Sequence, residues 1–333
     1  MIRFLARRLA ISALTFVGVV VAVFIIVRLV PGDPAAVRAG PYAGPEEIAQ
    51  VRRDLGLDRP MPAQFRDFVV GTFTLDLGTS IRTGAPVNEE LGARLPATLE
   101  LALFSLIVAV VVGVTLGVLA AVRQGTAVDG AVRGVIVLGT AMPVFWLGVL
   151  LILVFYSTLG IAAPPLGRLP GGVSPPPDVT GFFTVDSLLA GEIDTFFSAL
   201  HSLALPTAAL AFILVAPIAN IARSAMLDAL RSDYARTARA IGVPPWRDAF
   251  RNALLPVITT IGAVFGFLLG GNVLIERLFA WPGIGQLAFD SLLGKDLQTL
   301  QGVVLLVGAL YIAINVLVDV AYSLIDPRVR LAA

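Results

Sequence analysis

The chain of 333 residues has no cysteine, one histidine and one lysine. Without cysteine there is no disulfide, no thiolate metal site and no cysteine nucleophile. A single histidine, His201, excludes a multi-histidine metal centre. The single lysine, Lys295, stands between Gly294 and Asp296. No Gly-x-x-x-x-Gly-Lys-Ser/Thr loop therefore exists to cradle a nucleotide's phosphates, and ATP chemistry is not expected in this chain. Charge is also scarce. Only 14% of residues are Asp, Glu, Lys or Arg, whereas 57% are hydrophobic, and the mean hydropathy is +0.89. A soluble domain is about a quarter charged, so the composition implies an all-α polytopic membrane protein.

A membrane-crossing helix needs about 20 mostly apolar residues. Six stretches meet that length: 9–30, 98–122, 134–159, 202–222, 254–278 and 301–325. The first follows Arg3, Arg7 and Arg8 but is too long for a signal-peptide core, so it reads as an uncleaved span. The remaining arginines set orientation. With a cytoplasmic N-terminus, Arg123, Arg133, Arg223, Arg231, Arg236, Arg239, Arg247, Arg251, Arg328 and Arg330 all fall on the cytoplasmic side. Acids there are only Asp129, Asp228, Asp233, Asp248 and Asp326. Short cytoplasmic loops are rich in Arg and Lys, so both termini are expected on the cytoplasmic side of the membrane. The domain reading is a first helix plus external segment (1–97), a five-helix core (98–325) with a cytoplasmic loop at 223–253, and a tail (326–333).

The external segments differ in character. In the first, Pro45-Glu46-Glu47 is a helix start, Ile48, Val51 and Leu55 keep helical spacing, and Gly56 is a stop. Phe65, Phe68 and Val69 suggest a second short helix; Pro86 to Leu91 suggests a third, before Pro96 opens the next span. Residues 160–201 read as an extended, turn-rich loop, from Ala163-Pro-Pro, Leu169-Pro-Gly-Gly and Ser174-Pro-Pro-Pro. Trp281-Pro-Gly-Ile-Gly reads as an aromatic and turn residues at the membrane surface.

Within the spans, Gly113 and Gly117 have GxxxG spacing, and Gly262, Gly266 and Gly270 repeat it. Such small residues allow close backbone approach, either inside the chain or against a second membrane subunit. Pro143, Pro206 and Pro217 break backbone hydrogen bonds within spans. His201 reads as a hydrogen-bonded residue at a span end, and Asp319 as a structural partner of a loop arginine. Arg28 is expected to pair with Asp33, and Glu276 with Arg277 to mark the outer end of the fifth span.

Residues 231–256 are the most unusual stretch, polar and arginine-rich between two apolar spans. Leu227, Leu230, Tyr234, Ala238 and Ile241 lie within about 80° of arc on one helix, with Asp228, Asp233, Arg236 and Arg239 pointing elsewhere. Gly242 ends the helix and Pro244-Pro245 prevent its continuation. Ala235, Ala238 and Ala240 keep the tip thin. Physics alone leaves two readings open: an interfacial amphipathic helix with arginines on lipid phosphates, or a helix inserted into a partner's cleft.

Arg236-Thr237-Ala238, Gly242 and Leu255-Pro256 fall where coupling motifs of ABC importer permeases carry Glu-Ala-Ala, Gly and a Leu-Pro end. Tyr234 to Gly242 is similar to the variant of the dipeptide/oligopeptide/nickel branch. Other motifs run the length of the chain: Pro31-Gly32-Asp33-Pro34, Leu55-Gly56-Leu57-Asp58, Asp76-Leu77-Gly78-Thr79-Ser80, Arg94-Leu95-Pro96-Ala97-Thr98, Phe145-Trp146-Leu147-Gly148, Trp281-Pro282-Gly283 and Asp326-Pro327-Arg328. Together they resemble the B-type inner-membrane permease of such importers. The resemblance implies a type I ABC importer (MetI-like) permease fold with six transmembrane helices and a partly helical external segment. It implies ATPase coupling through Asp233, Tyr234, Arg236, Thr237, Ala238, Arg239 and Gly242. It also implies a second permease, two ABC ATPase subunits that bind ATP and Mg, an external peptide-binding protein and a peptide substrate, all in contact with membrane lipid but with no nucleic acid. A nickel-chelate or other small-solute importer is the nearest alternative. An ion-coupled secondary transporter would need acids at mid-depth and inverted repeats, neither of which is clear here. An intramembrane hydrolase would need a cysteine, or a histidine at a depth His201 does not have.

Overall fold

The computed structural model describes residues 2–29, 33–40, 42–271 and 273–325. The motif residues Pro31 and Gly32 and the tail 326–333 lie outside them, with Asp326, Arg328 and Arg330. The described elements are helices, apart from one isolated bridge between Thr79 and Pro86.

The first helix, α1 (Ile2–Leu29), leads into three short ones, α2 (Pro34–Ala39), α3 (Pro45–Asp54) and α4 (Met61–Thr74). Local chemistry starts them. Asp33 caps α2 by accepting from the Ala35 amide at 3.1 Å, and Glu47 accepts from Gly44 N at 3.0 Å in front of α3. Because Asp33 also pairs with Arg52 at 2.5 Å, it is not the partner of Arg28. Arg28 instead stacks on Phe24 and donates to Gln64 Oε1 at 3.0 Å.

The next helix, α5 (Val87–Val122), corrects the expected short helix before Pro96. Pro96 lies inside one continuous helix of 36 residues. A proline ring crowds the residue four positions back, which here is Gly92 with open space around it. At about 1.5 Å per residue this helix is some 54 Å long, so its first turns project beyond a hydrocarbon layer of about 30 Å.

The third expected span, 134–159, starts earlier and is broken. It comprises α6 (Ala127–Ala141) and α7 (Val144–Leu151), which continues as a π-helical stretch, Ile152–Thr158. The two arms meet at 107°. Met142 is extended, as the residue before a proline must be, and Pro143 begins the new direction.

The segment 160–201 is not extended throughout: α8 (Phe183–Ala190) interrupts it, and α9 (Ile193–Arg231) begins eight residues before the expected end. Then follow α10 (Asp233–Ala240), α11 (Trp246–Gly271), α12 (Val273–Leu278), α13 (Ile284–Leu293) and α14 (Leu297–Ile325). Among the described residues five helices are long and apolar enough to cross a membrane, or six with the bent α6–α7 pair counted as one span.

The centre of the bundle is α9, 39 residues long and the most enclosed of the spans. Its alanines admit close neighbours. A Cβ on Gly117 of α5 would stand 2.7 Å from the Ala222 Cβ, and one on Gly113 would stand 2.9 Å from Ile218. On α11, Gly262 faces the Val318 side chain of α14, and a Cβ on Gly266 would fall 2.5 Å from the Tyr311 ring. Gly270 is looser, with Val307 at 3.9 Å. These glycines sit against helices of the same chain.

One end of the bundle gathers the start of α1, the end of α14, the α5–α6 turn, α10 and the start of α11. Arg8 on α1 pairs with Asp319 on α14 at 3.1 Å, so the acid's partner belongs to a helix and not to a loop. Ala121, Met226, Ala229, Ala249 and Ala253 form a small apolar core there.

The opposite end is tied by buried polar groups. Glu100 pairs with Arg168 at 2.6 Å and accepts from the Thr184 hydroxyl at 2.7 Å. Glu276 is fully buried and accepts from the Thr98 hydroxyl at 2.7 Å and from Gln286 N, so it is an internal tie. Trp281 is likewise buried in the protein, its indole donating to Ala97 O at 2.8 Å. His201 Nε2 lies 3.0 Å from Ile161 O.

Two acids outside the spans hold loops. Asp186 accepts from the Thr180 hydroxyl and from the Thr180 and Gly181 amides at 2.7 to 2.9 Å. Burial raises its pKa, but these donors outweigh that and keep it below the ordinary carboxylate value. Asp296 holds the Ser80 hydroxyl at 2.6 Å and Ile81 N at 3.1 Å while capping α14 through Thr299. Burial opposes ionisation there too, and the hydrogen bonds again prevail, lowering its pKa.

Candidate functional site

The arginine-rich segment folds as α10, suspended between the ends of two spans. Ser232 separates it from α9 by leaving the helical region, with φ −65° and ψ 159°. The Ser232 hydroxyl donates to Ala229 O at 2.6 Å, closing α9 and leaving the α10 start without a side-chain cap.

This break resets the helical phase. The expected stripe of Leu227, Leu230, Tyr234, Ala238 and Ile241 assumed one uninterrupted helix and is not formed. The residue of α10 turned inward is Ala235, which is fully buried. Tyr234 and Ile241 are exposed, together with Val243 and Trp246 beyond the helix.

The end of α10 is a Schellman motif. Val243 N donates to Ala238 O at 2.9 Å and Gly242 N to Arg239 O at 3.2 Å. Gly242 has φ +78°, the left-handed conformation that this motif requires. Pro244 and Pro245 follow, and the Ala249 amide bonds to Pro245 O as α11 begins.

The two central arginines separate in role. Arg236 is free to meet a partner: its side chain is 77% exposed, with only a solvated contact to Asp233 at 3.4 Å. Arg239 is exposed as well, but it is tied to carbonyls. Its guanidinium donates to Leu230 O at 2.9 Å, a carbonyl at the end of α9, and to Ala235 O at 3.2 Å within α10. Thr237 is turned to its own helix, donating to Asp233 O at 3.0 Å. Behind α10 lies an open groove of about 400 Å³, walled by Ser224, Asp228, Tyr234, Asn252 and Pro256.

The result is a helix tip exposing apolar side chains, in a stretch where Arg231, Arg236, Arg247 and Arg251 are exposed too. Contiguous exposed apolar surface with a charged rim is the anatomy of a protein-docking surface.

Sequence comparison bears on which machine this surface serves. Residues 113–331 match the family model of the binding-protein-dependent transport system inner membrane component. Residues 1–102 match the model of the N-terminal region of that membrane component. The chain belongs to this permease family. The permease is 45% identical over 320 residues to the probable D,D-dipeptide transport system permease protein DdpB of Escherichia coli K12, covering 95% of this chain and 94% of that one. It is 42% identical to the di/tripeptide transport system permease protein DppB of Pseudomonas aeruginosa UCBPP-PA14, covering 99% of both chains. It is 40% identical to the dipeptide transport system permease protein DppB of Escherichia coli K12, again covering 99% of both. The permease is thus an all-α, multi-pass membrane component of a transport system. The buried ties Glu100–Arg168, Glu276–Thr98 and Asp296–Ser80 escaped sequence reasoning. Each joins residues more than 60 positions apart, and no local spacing signals such a pair.

Proposed function

We propose that the permease is one half of the translocation pore of an ATP-driven importer of di- and oligopeptides. A second permease subunit supplies the other half, and two ABC ATPase subunits bind ATP and Mg. An external binding protein delivers the peptide. The relatives' names, all dipeptide or di/tripeptide transport permeases at 40–45% identity, support the peptide class. The geometry of α10 carries the coupling role: a short, thin helix with an exposed tip in an arginine-rich stretch, held at both ends by spans.

The α10 end is the cytoplasmic one in this reading, since Arg7, Arg8, Arg123, Arg133, Arg223, Arg231, Arg236, Arg239, Arg247 and Arg251 all gather there. Closure of the ATPase pair on ATP would pull α10 through its tip. Because Arg239 and Ser232 fasten α10 to the end of α9, that pull acts on the central helix. The spans then reorient, and the binding protein, docked on the α2–α4 region or the 163–177 loop, releases its peptide into the pore.

The test is uptake and ATP hydrolysis measured side by side in the reconstituted complex with its binding protein. Added dipeptide should stimulate hydrolysis and be imported. Stimulation by a nickel chelate and not by peptide would overturn the substrate class.

A further inference from the structure

We infer that the ion pair of Asp129 and Arg223 is the joint through which movement of α10 reaches the α6–α7 elbow, making both of them positioning residues for transport. This rests on the coupling role of α10 and extends it.

Asp129 lies in the first turn of α6 and is 2% exposed. Arg223 Nε and Nη2 donate to its two oxygens at 2.8 and 3.0 Å, and Gly125 N donates at 3.1 Å. Arg133 stands at 3.7 Å on the same helix. A two-pronged guanidinium–carboxylate contact fixes angle as well as distance. Such a buried pair adds little net stability compared with apolar packing, so its consequence here is registry.

Arg223 is about two turns before the end of α9, where Arg239 clasps α10 to Leu230 O. A second contact holds the other end of α6. A Cβ on Gly139 would lie 2.9 Å from the Ala216 Cβ and 3.2 Å from Phe212 O, both on α9. With α6 pinned to α9 at points about 15 Å apart, the two helices move as one body.

Beyond Gly139 the chain turns through 107° at Met142-Pro143. The second arm then presses on α12: a Cβ on Gly148 would lie 2.6 Å from Leu278 and 3.2 Å from Ile275. Next to Ile275, Glu276 is tied to Thr98. A shift of α9 at the α10 end is therefore delivered by the elbow to α12 near the opposite end.

The test uses the complete importer with its ATPase subunits, second permease and binding protein. The readout is peptide imported per ATP hydrolysed, alongside subunit assembly. Looser packing alone would lower the amount of complex and leave that ratio unchanged. Asp129→Asn and Arg223→Gln should lower the ratio about threefold to tenfold, and Arg223→Lys should recover part of it. If a single variant fails to assemble, the double variant Asp129→Asn/Arg223→Gln, which leaves no buried charge unpaired, is read in its place and should show the same fall. A parental ratio in the assembled variants overturns the proposal. So does failure of all of them to assemble, which would make the pair structural cement. Gly242→Val, measured beside them, tests the coupling role of α10 itself. Parental peptide-stimulated ATP hydrolysis and uptake there remove that role, whereas a parental ratio in the Asp129 and Arg223 variants beside a failing Gly242→Val removes only the joint.

Discussion

Gly242 has no atom within 4 Å of where a Cβ would stand, so its requirement is torsional and not steric. At φ +78° a β-branched residue costs about 1–3 kcal/mol, whereas asparagine tolerates the region. Gly242→Val should therefore redirect the chain leaving α10 and abolish peptide-stimulated ATP hydrolysis and uptake, with membrane insertion unchanged. Gly242→Asn should keep most of both activities; equal loss in the two variants would show that something other than backbone conformation matters there. Arg239→Glu should also fail, because it places a carboxylate against the Leu230 and Ala235 carbonyls. Arg236→Glu changes only an exposed charge, and should weaken binding of the ATPase subunit in a pull-down without altering the fold of α10. The sequence marked these positions as a set; their separate roles needed the direction each side chain takes.

Among the elements, α9 shows how one residue's conformation outweighs a periodic pattern. The helical phase ran on in sequence from Leu227 to Ile241, but Ser232 becomes extended and the inward position moves to Ala235. Similarly, Pro96 remained inside α5 while Pro143 broke its span, although both are prolines within apolar runs. At the opposite end, Asp186 and Asp296 order two loops. Both have pKa values lowered on folding, so their stabilising effect is complete above the unfolded carboxylate value of about 3.9 and is lost as pH falls below it. Hydrogen exchange should show segments 178–187 and 79–83 protected at pH 7 and 5, and released only once the pH falls below the unfolded carboxylate value. Asp186→Asn should release the first segment at neutral pH. Protection that fades between pH 7 and 5 would assign the ordering to other groups.

For the molecule as a whole, the arginine asymmetry predicts both orientation and labelling pattern. The chain has no native cysteine, so single introduced thiols report without background. Tyr42→Cys and Ser174→Cys stand at exposed positions on the opposite end from α10 and should react with an impermeant maleimide added outside intact cells. Gln124→Cys, exposed in the turn between α5 and α6, should react only after permeabilisation. Labelling of Gln124→Cys from outside would invert the assignment and place α10 away from the ATPase subunits.

Composition, run length and the short-range signals of proline, glycine and capping acids determined the class, the apolar spans, the start of α3 and the glycine that ends α10. These depend on neighbours within a few turns, where sequence spacing is spatial spacing. Tertiary structure alone decided that Gly117 faces α9 and Gly266 faces α14, that Arg28 meets Gln64 and not Asp33, and that Glu276 is an interior tie. It also decided that Asp129 meets Arg223 across 94 positions. A buried charge is tolerated only where a distant partner arrives with the right geometry, and that arrival is a property of the packed helices, not of any stretch of chain.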